Sequence, residues 1–101
     1  MWICLNDAFF SIVASDRDPA VLTVRARRKG DLEKCFPGHA VHSWPGRDYA
    51  FRAFVPREVV SATIAERIEA IGYTNFKDSV EDDRLHDAYM DVWVAMRNVQ
   101  K

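Results

Sequence analysis

Apolar and polar positions alternate with the two-residue period of a half-buried strand in several stretches of the first half of the chain. Trp2 to Leu5 and Ala8 to Ser15 are short apolar runs separated by the turn-prone pair Asn6-Asp7, which predicts two strands or one hairpin. Asp16-Arg17-Asp18-Pro19 breaks the run. Val21 to Arg27 then alternates, with Leu22, Val24 and Ala26 on one face and Thr23, Arg25 and Arg27 on the other. That strand has one face to bury and one basic face. Ala40 to Trp44 and Tyr49 to Val55 predict two more strands, joined by Pro45-Gly46-Arg47-Asp48, whose Pro-Gly pair suits the central positions of a type II turn. In the second of these, Tyr49, Phe51, Ala53 and Val55 share a face and leave Arg52 and Phe54 on the other.

Helical spacing takes over elsewhere. Gly30-Asp31 followed by Leu32 to Phe36 predicts a short helix with Asp31 as its N-cap and Pro37-Gly38 as its stop. Pro56 in a first turn and Gly72 past the end bracket a longer helix, with Val60, Ile64, Ile68 and Ile71 as one apolar stripe. Ser79-Val80-Glu81-Asp82 matches a capping box and opens a second long helix, on which Leu85, Tyr89, Val92, Met96 and Val99 repeat at spacings of four and three. Trp93 flanks that stripe and is expected to be packed.

The order β-β-β-α-β-β-α-α, with short connections, predicts an α+β fold. We expect an antiparallel or mixed sheet of four to five strands, helices packed on one face, and two layers. The 101 residues suffice for one domain, which buries roughly two thirds of the surface its unfolded chain exposes. The expected unit is therefore a single domain over 1–101.

Charge refines this picture. Met1 to Arg57 holds nine Lys/Arg against six Asp/Glu, whereas Glu58 to Lys101 holds five against nine, so a net charge of −1 conceals a basic half and an acidic half. Such asymmetry marks a docking face for nucleic acid or protein in some domains, and only a division of sign between strands and helices in others. Cys4 and Cys35 form no C-x-x-C pair and are expected as free thiols in a reducing cytoplasm. No basic leader with a cleavage pattern is present, and the apolar run Ala8 to Ala14 falls short of the about 20 residues a bilayer span needs.

Candidate chemistry is sparse. Arg25, Arg27, Arg28 and Lys29 form a basic group that Arg52 joins from another strand, and guanidinium groups bond phosphates and carboxylates in bidentate fashion. The plainer interpretation is a solvated strand face paired with the acidic helices. Glu81, Asp82, Asp83, Asp87 and Asp91 could mimic phosphates toward a basic partner, although a helix favours carboxylates near its N-terminus in any case. Trp44 with Arg47 at the Pro-Gly turn has the composition of an interface anchor. Asp82 with His86, and Cys35 with His39, supply too few ligands for a metal site and no orienting third group for a nucleophile. G-x-S-x-G, P-loop and G-x-G-x-x-G patterns are absent, so no cofactor and no enzymatic activity are expected.

Five segments together resemble a family of uncharacterised small bacterial and phage proteins. They are Met1-Trp2-Ile3 through Asn6-Asp7-Ala8-Phe9; Val24 to Arg28 with Gly30-Asp31; Asp48-Tyr49 with Phe51-Arg52-Ala53; Asn75-Phe76-Lys77 with Ser79-Val80; and His86-Asp87-Ala88-Tyr89 with Trp93. The resemblance covers essentially the whole chain and implies a stand-alone protein. A phage setting implies an inhibitor of host defence, including the anti-CRISPR type. The leading expectation is thus a non-enzymatic protein-binding module using Arg25, Arg27, Arg28, Lys29, Trp44, Arg47, Arg52, Asp82, Asp83 and Asp87 toward a host complex, cytoplasmic and without membrane contact. Direct nucleic-acid binding through the basic strand face is the alternative, and a small enzyme of unknown chemistry the third.

Overall fold

The computed structural model describes residues 1–100. Its sheet contains β1 (Trp2–Cys4), β2 (Phe9–Ala14), β3 (Val21–Ala26), β4 (His42–Ser43) and β5 (Phe51–Pro56). The strands lie in the order β1-β2-β3-β5-β4 and every neighbouring pair is antiparallel. Three helices complete the α+β fold: α1 (Lys29–Cys35), α2 (Arg57–Glu69) and α3 (Asp83–Arg97).

Alternation along the strands divides their side chains as the sequence predicts. Phe10, Ile12, Val24, Ala26, Ala53 and Val55 turn toward α1 and α2, where Leu32, Phe36 and Val60 close the main core. Phe10 and Phe36 meet edge to face with ring centroids 5.5 Å apart. Each fully buried side chain of this size contributes about 1.5–3 kcal/mol relative to exposure. Phe9 points the other way and joins Phe76, Val80, Leu85 and Tyr89 in a second, smaller cluster that seats α3. The Tyr89 hydroxyl reaches past this cluster and donates to the carbonyl oxygens of Leu5 (2.9 Å) and Ala8 (3.0 Å). Burial pushes its pKa far up, so it remains a donor.

Several local expectations need correction. Asp31 does not cap α1. Arg28 holds the cap position without a side-chain cap bond, and Asp31 lies buried in the first turn. There its carboxylate accepts the Phe9 amide (3.1 Å) and the Arg28 guanidinium (3.1 Å), which ties α1 to the start of β2. Ser79 does not open a capping box either; it ends a 3-10 turn, and its hydroxyl donates to the Phe76 carbonyl. Asp82 is the N-cap of α3 and accepts the Leu85 amide at 2.9 Å. Pro56 stands at the N-cap of α2 rather than in its first turn.

Two apolar stripes are only half used. On α2 Val60 is buried while Ile68 is exposed, as is Ile71 just past its end, and on α3 Val92 and Met96 are exposed beyond Tyr89, as is Val99 in the 3-10 turn that follows. Trp93 is also exposed and lies between the cations of Lys77 and Arg97 (5.3 and 5.2 Å) rather than in a core. The Ala40–Trp44 strand contracts to His42–Ser43, and the following strand begins at Phe51 rather than Tyr49. Pro45 and Gly46 at the tip form the expected type II turn: Gly46 has φ 88°, and the Arg47 amide donates to the Trp44 carbonyl at 3.2 Å. No described helix is long and apolar enough to cross a membrane.

Candidate functional site

Strand register assembles one row of residues across all five strands. Trp2 pairs with Ser11, Ser11 with Arg25, Arg25 with Arg52, and Arg52 with His42. The neighbouring row on the same face is Val13, Thr23 and Phe54. These side chains point away from α1 and α2, and α3 reaches this face at Phe9. The uncovered part forms a hollow of about 520 Å3. Arg25, Arg52, Thr23 and Phe54 line its sheet side, His42, Trp44 and Arg47 come from the β4–β5 hairpin, and Asp16 and Arg17 come from the β2–β3 turn.

The local chain explains this convergence. The tight Pro45-Gly46 turn sets Trp44 and Arg47 at its two ends, while a hydrogen bond from the Trp44 amide to Ala50 (2.8 Å) extends the β4–β5 ladder. Across the face, Ser15 and Asp18 fold the β2–β3 turn through side-chain bonds to the amides of Arg17, Asp18 and Ala20.

Guanidinium groups lie on rings in and beside the hollow. Arg52 lies 4.3 Å from the Trp44 centroid and Arg47 5.6 Å from it, while Arg27 and Arg25 lie 4.2 and 4.8 Å from that of buried Tyr49. A guanidinium stacked on a ring keeps its in-plane N–H edge available for an acceptor. Arg25 spends one donor on Ser11 Oγ (2.6 Å) and Arg52 makes one long bond to the Tyr49 carbonyl (3.5 Å). The Nε atoms of both are buried and meet no acceptor. Among the described residues none of Arg17, Arg25, Arg47 and Arg52 forms an ion pair, Asp16 at the rim included. Burial, reinforced by the like charges of Arg47 and Arg25, pulls the Arg52 pKa below its ordinary value while leaving it a cation.

The sequence-derived candidates therefore separate. Arg25, Arg47, Arg52 and Trp44 converge on the hollow. Arg27 lies beside it, with its charge paired to Asp48 at 3.1 Å. Arg28 is used elsewhere, bridging Asp31 (3.1 Å) and Asp82 (2.7 Å). Lys29 is the exposed first residue of α1. Asp82 is consumed by its cap and by Arg28; Asp83 opens α3 in solvent, and Asp87 faces only its neighbour His86 at 3.7 Å. The Leu85 amide and Arg28 hold the Asp82 carboxyl below the usual range. The acidic run is thus the beginning of a helix, remote from the arginine hollow in use and in partners.

His42, Phe54 and Arg17 belong to the site although sequence reasoning did not include them. Alternation already places Phe54 with Arg52. The His42–Arg52 register and the fold of the β2–β3 turn bring in the other two, and neither can be read from composition. Among the described residues no three His, Cys, Asp or Glu side chains gather as metal ligands would. No family model, curated protein or solved structure matches the chain.

Proposed function

We propose that this protein is a non-enzymatic binding module that takes an anionic macromolecular partner on the uncovered face of its sheet. The observation that carries the reading is the opposition of Arg25 and Arg52. They are direct cross-strand partners with buried, unsatisfied Nε atoms, and among the described residues neither is paired with a carboxylate. Like charges directly opposite each other on a sheet are destabilising. An external anion relieves that repulsion by accepting from the Nη1 groups, which make no bond within the described residues, so its binding is coupled to a cost the free protein already bears. The resemblance to small phage proteins supports a host nucleic-acid-handling complex as the setting, with the protein acting as an inhibitor of the anti-CRISPR type.

The test is affinity capture from host lysate, with and without nuclease, using wild type and the Arg25→Glu/Arg52→Glu variant. The expected outcome is a partner retained by wild type and lost by the variant, with the two proteins melting within a few degrees of each other. Identical retention by both, with and without nuclease, overturns the reading.

A further inference from the structure

We infer that the anion held in this hollow is the phosphodiester backbone of a single-stranded nucleic acid, with a base stacked on the Phe54–His42 side. This rests on the anion-binding reading above and adds the identity of the ligand. Four guanidinium groups line the hollow, and three of them, those of Arg25, Arg52 and Arg47, come together from the sheet and the β4–β5 hairpin on a concave surface rather than a flat one. Bidentate guanidinium bonds suit a phosphate and a carboxylate equally, so the arginines alone do not choose between them.

The rings make that choice. Phe54 is 43% exposed on the outward face of β5, beyond the reach of the two-residue β4, where a polar residue would serve solubility better. No guanidinium lies over it among the described residues, in contrast to Trp44 and Tyr49. His42 lies 5.5 Å from it at an interplanar angle of 52°, so the two rings form a corner rather than a closed stack. A flat apolar platform next to paired cations is the arrangement that single strands use, since each nucleotide brings one phosphate and one π face. An acidic protein segment brings its carboxylates without a π face in every repeat unit, so it does not pair the two features regularly. A duplex keeps its bases in its own stack and presents only phosphates to a hollow of about 520 Å3.

Fluorescence anisotropy with labelled thymidine and uridine oligomers of about 12 nucleotides tests the inference, with the corresponding duplex and polyglutamate as competitors. Expected is binding whose log affinity falls with log salt at a slope of about −2, three arginine contacts each contributing about 0.7. Arg52→Gln reduces the steepness by about 0.7. Phe54→Ala weakens binding by about 5-fold to 100-fold and leaves the salt slope unchanged, which a purely structural or purely electrostatic role does not produce. Duplex that competes as well as the single strand, or Phe54→Ala without effect, overturns the inference. Polyglutamate that displaces the oligomer at equal charge concentration overturns it in favour of an acidic protein. Absence of oligomer binding at low salt overturns it too, while lysate capture that is still sensitive to Arg25→Glu/Arg52→Glu leaves the broader reading standing.

Discussion

At the scale of single residues, the molecule spends its polar side chains in two different ways. Asp31 is buried with every contact accounted for: its carboxylate serves Phe9 and Arg28 and fixes how α1 meets β2. Arg25 and Arg52 are placed with donors unspent, and their opposition works against the fold. Arg52→Thr removes one charge and inserts a β-branched residue at a strand position that favours it. It also loses a cation–π contact worth about 0.5–1 kcal/mol. The two effects offset, so the unfolding free energy from urea titration should remain within about 0.5 kcal/mol of wild type or rise. A loss above about 1 kcal/mol would show that Arg52 holds the β4–β5 hairpin in place instead of serving a ligand.

At the scale of elements, α3 depends on a few contacts at its first half. Asp82 caps it, Leu85 and Tyr89 pack on Phe9 and Phe76, and the Tyr89 hydroxyl anchors it to the turn between β1 and β2. Tyr89→Phe preserves the ring packing and strands two carbonyls, of which that of Ala8 retains the Leu5 amide. The expected cost is about 1–2 kcal/mol in denaturant unfolding, with helical content retained in the folded baseline. These elements also show where the sequence was legible and where it was not. Strand alternation fixes which side chains of β3 and β5 share a face, because a period of two leaves no other choice. The Pro-Gly turn is equally local. Cap assignment was not legible, since Asp31 and Ser79 have capping chemistry but a tertiary bond to the Phe9 amide recruits the first and a local bond to the Phe76 carbonyl the second. Nor was the burial of the helix stripes: periodicity identifies an apolar face without showing how far the rest of the protein extends beneath it. The arginine hollow was legible in part, as strand parity puts Arg25 and Arg52 on outward faces, whereas only the β3–β5 register makes them opposite.

At the scale of the whole molecule, titration reports which charges the fold relies on. Burial works against the Asp7 carboxylate, but Arg67 at 2.6 Å and Lys34 at 3.6 Å outweigh it and hold its pKa below the ordinary value, as the Leu85 amide and Arg28 do for Asp82. A depressed carboxyl contributes stability that is complete above the unfolded value of about 3.9 and is lost as pH falls through the folded one. Tyr89 and Cys35 carry the opposite sign, because burial raises both. Their contribution is complete at neutral pH and is lost as pH rises above about 9. Urea midpoints should therefore form a plateau from about pH 5 to 8, with a decline on each side. A midpoint still level at pH 3 would refute the role of Asp7 and Asp82.

The central β3–β5 pairing joins residues that lie between 25 and 35 positions apart in the chain, from Ala26 with Phe51 to Val21 with Pro56. The β1–β2 and β2–β3 hairpins close over short loops, and closure entropy grows with the length of chain enclosed. The hollow is divided across the long-range pairing, with Arg25 on one side and Arg52, Trp44 and Arg47 on the other. No partly folded chain lacking that pairing possesses the site, so its capacity to bind is acquired only when this β3–β5 loop closes, and a nascent chain that ends before Phe51 cannot compete for the partner.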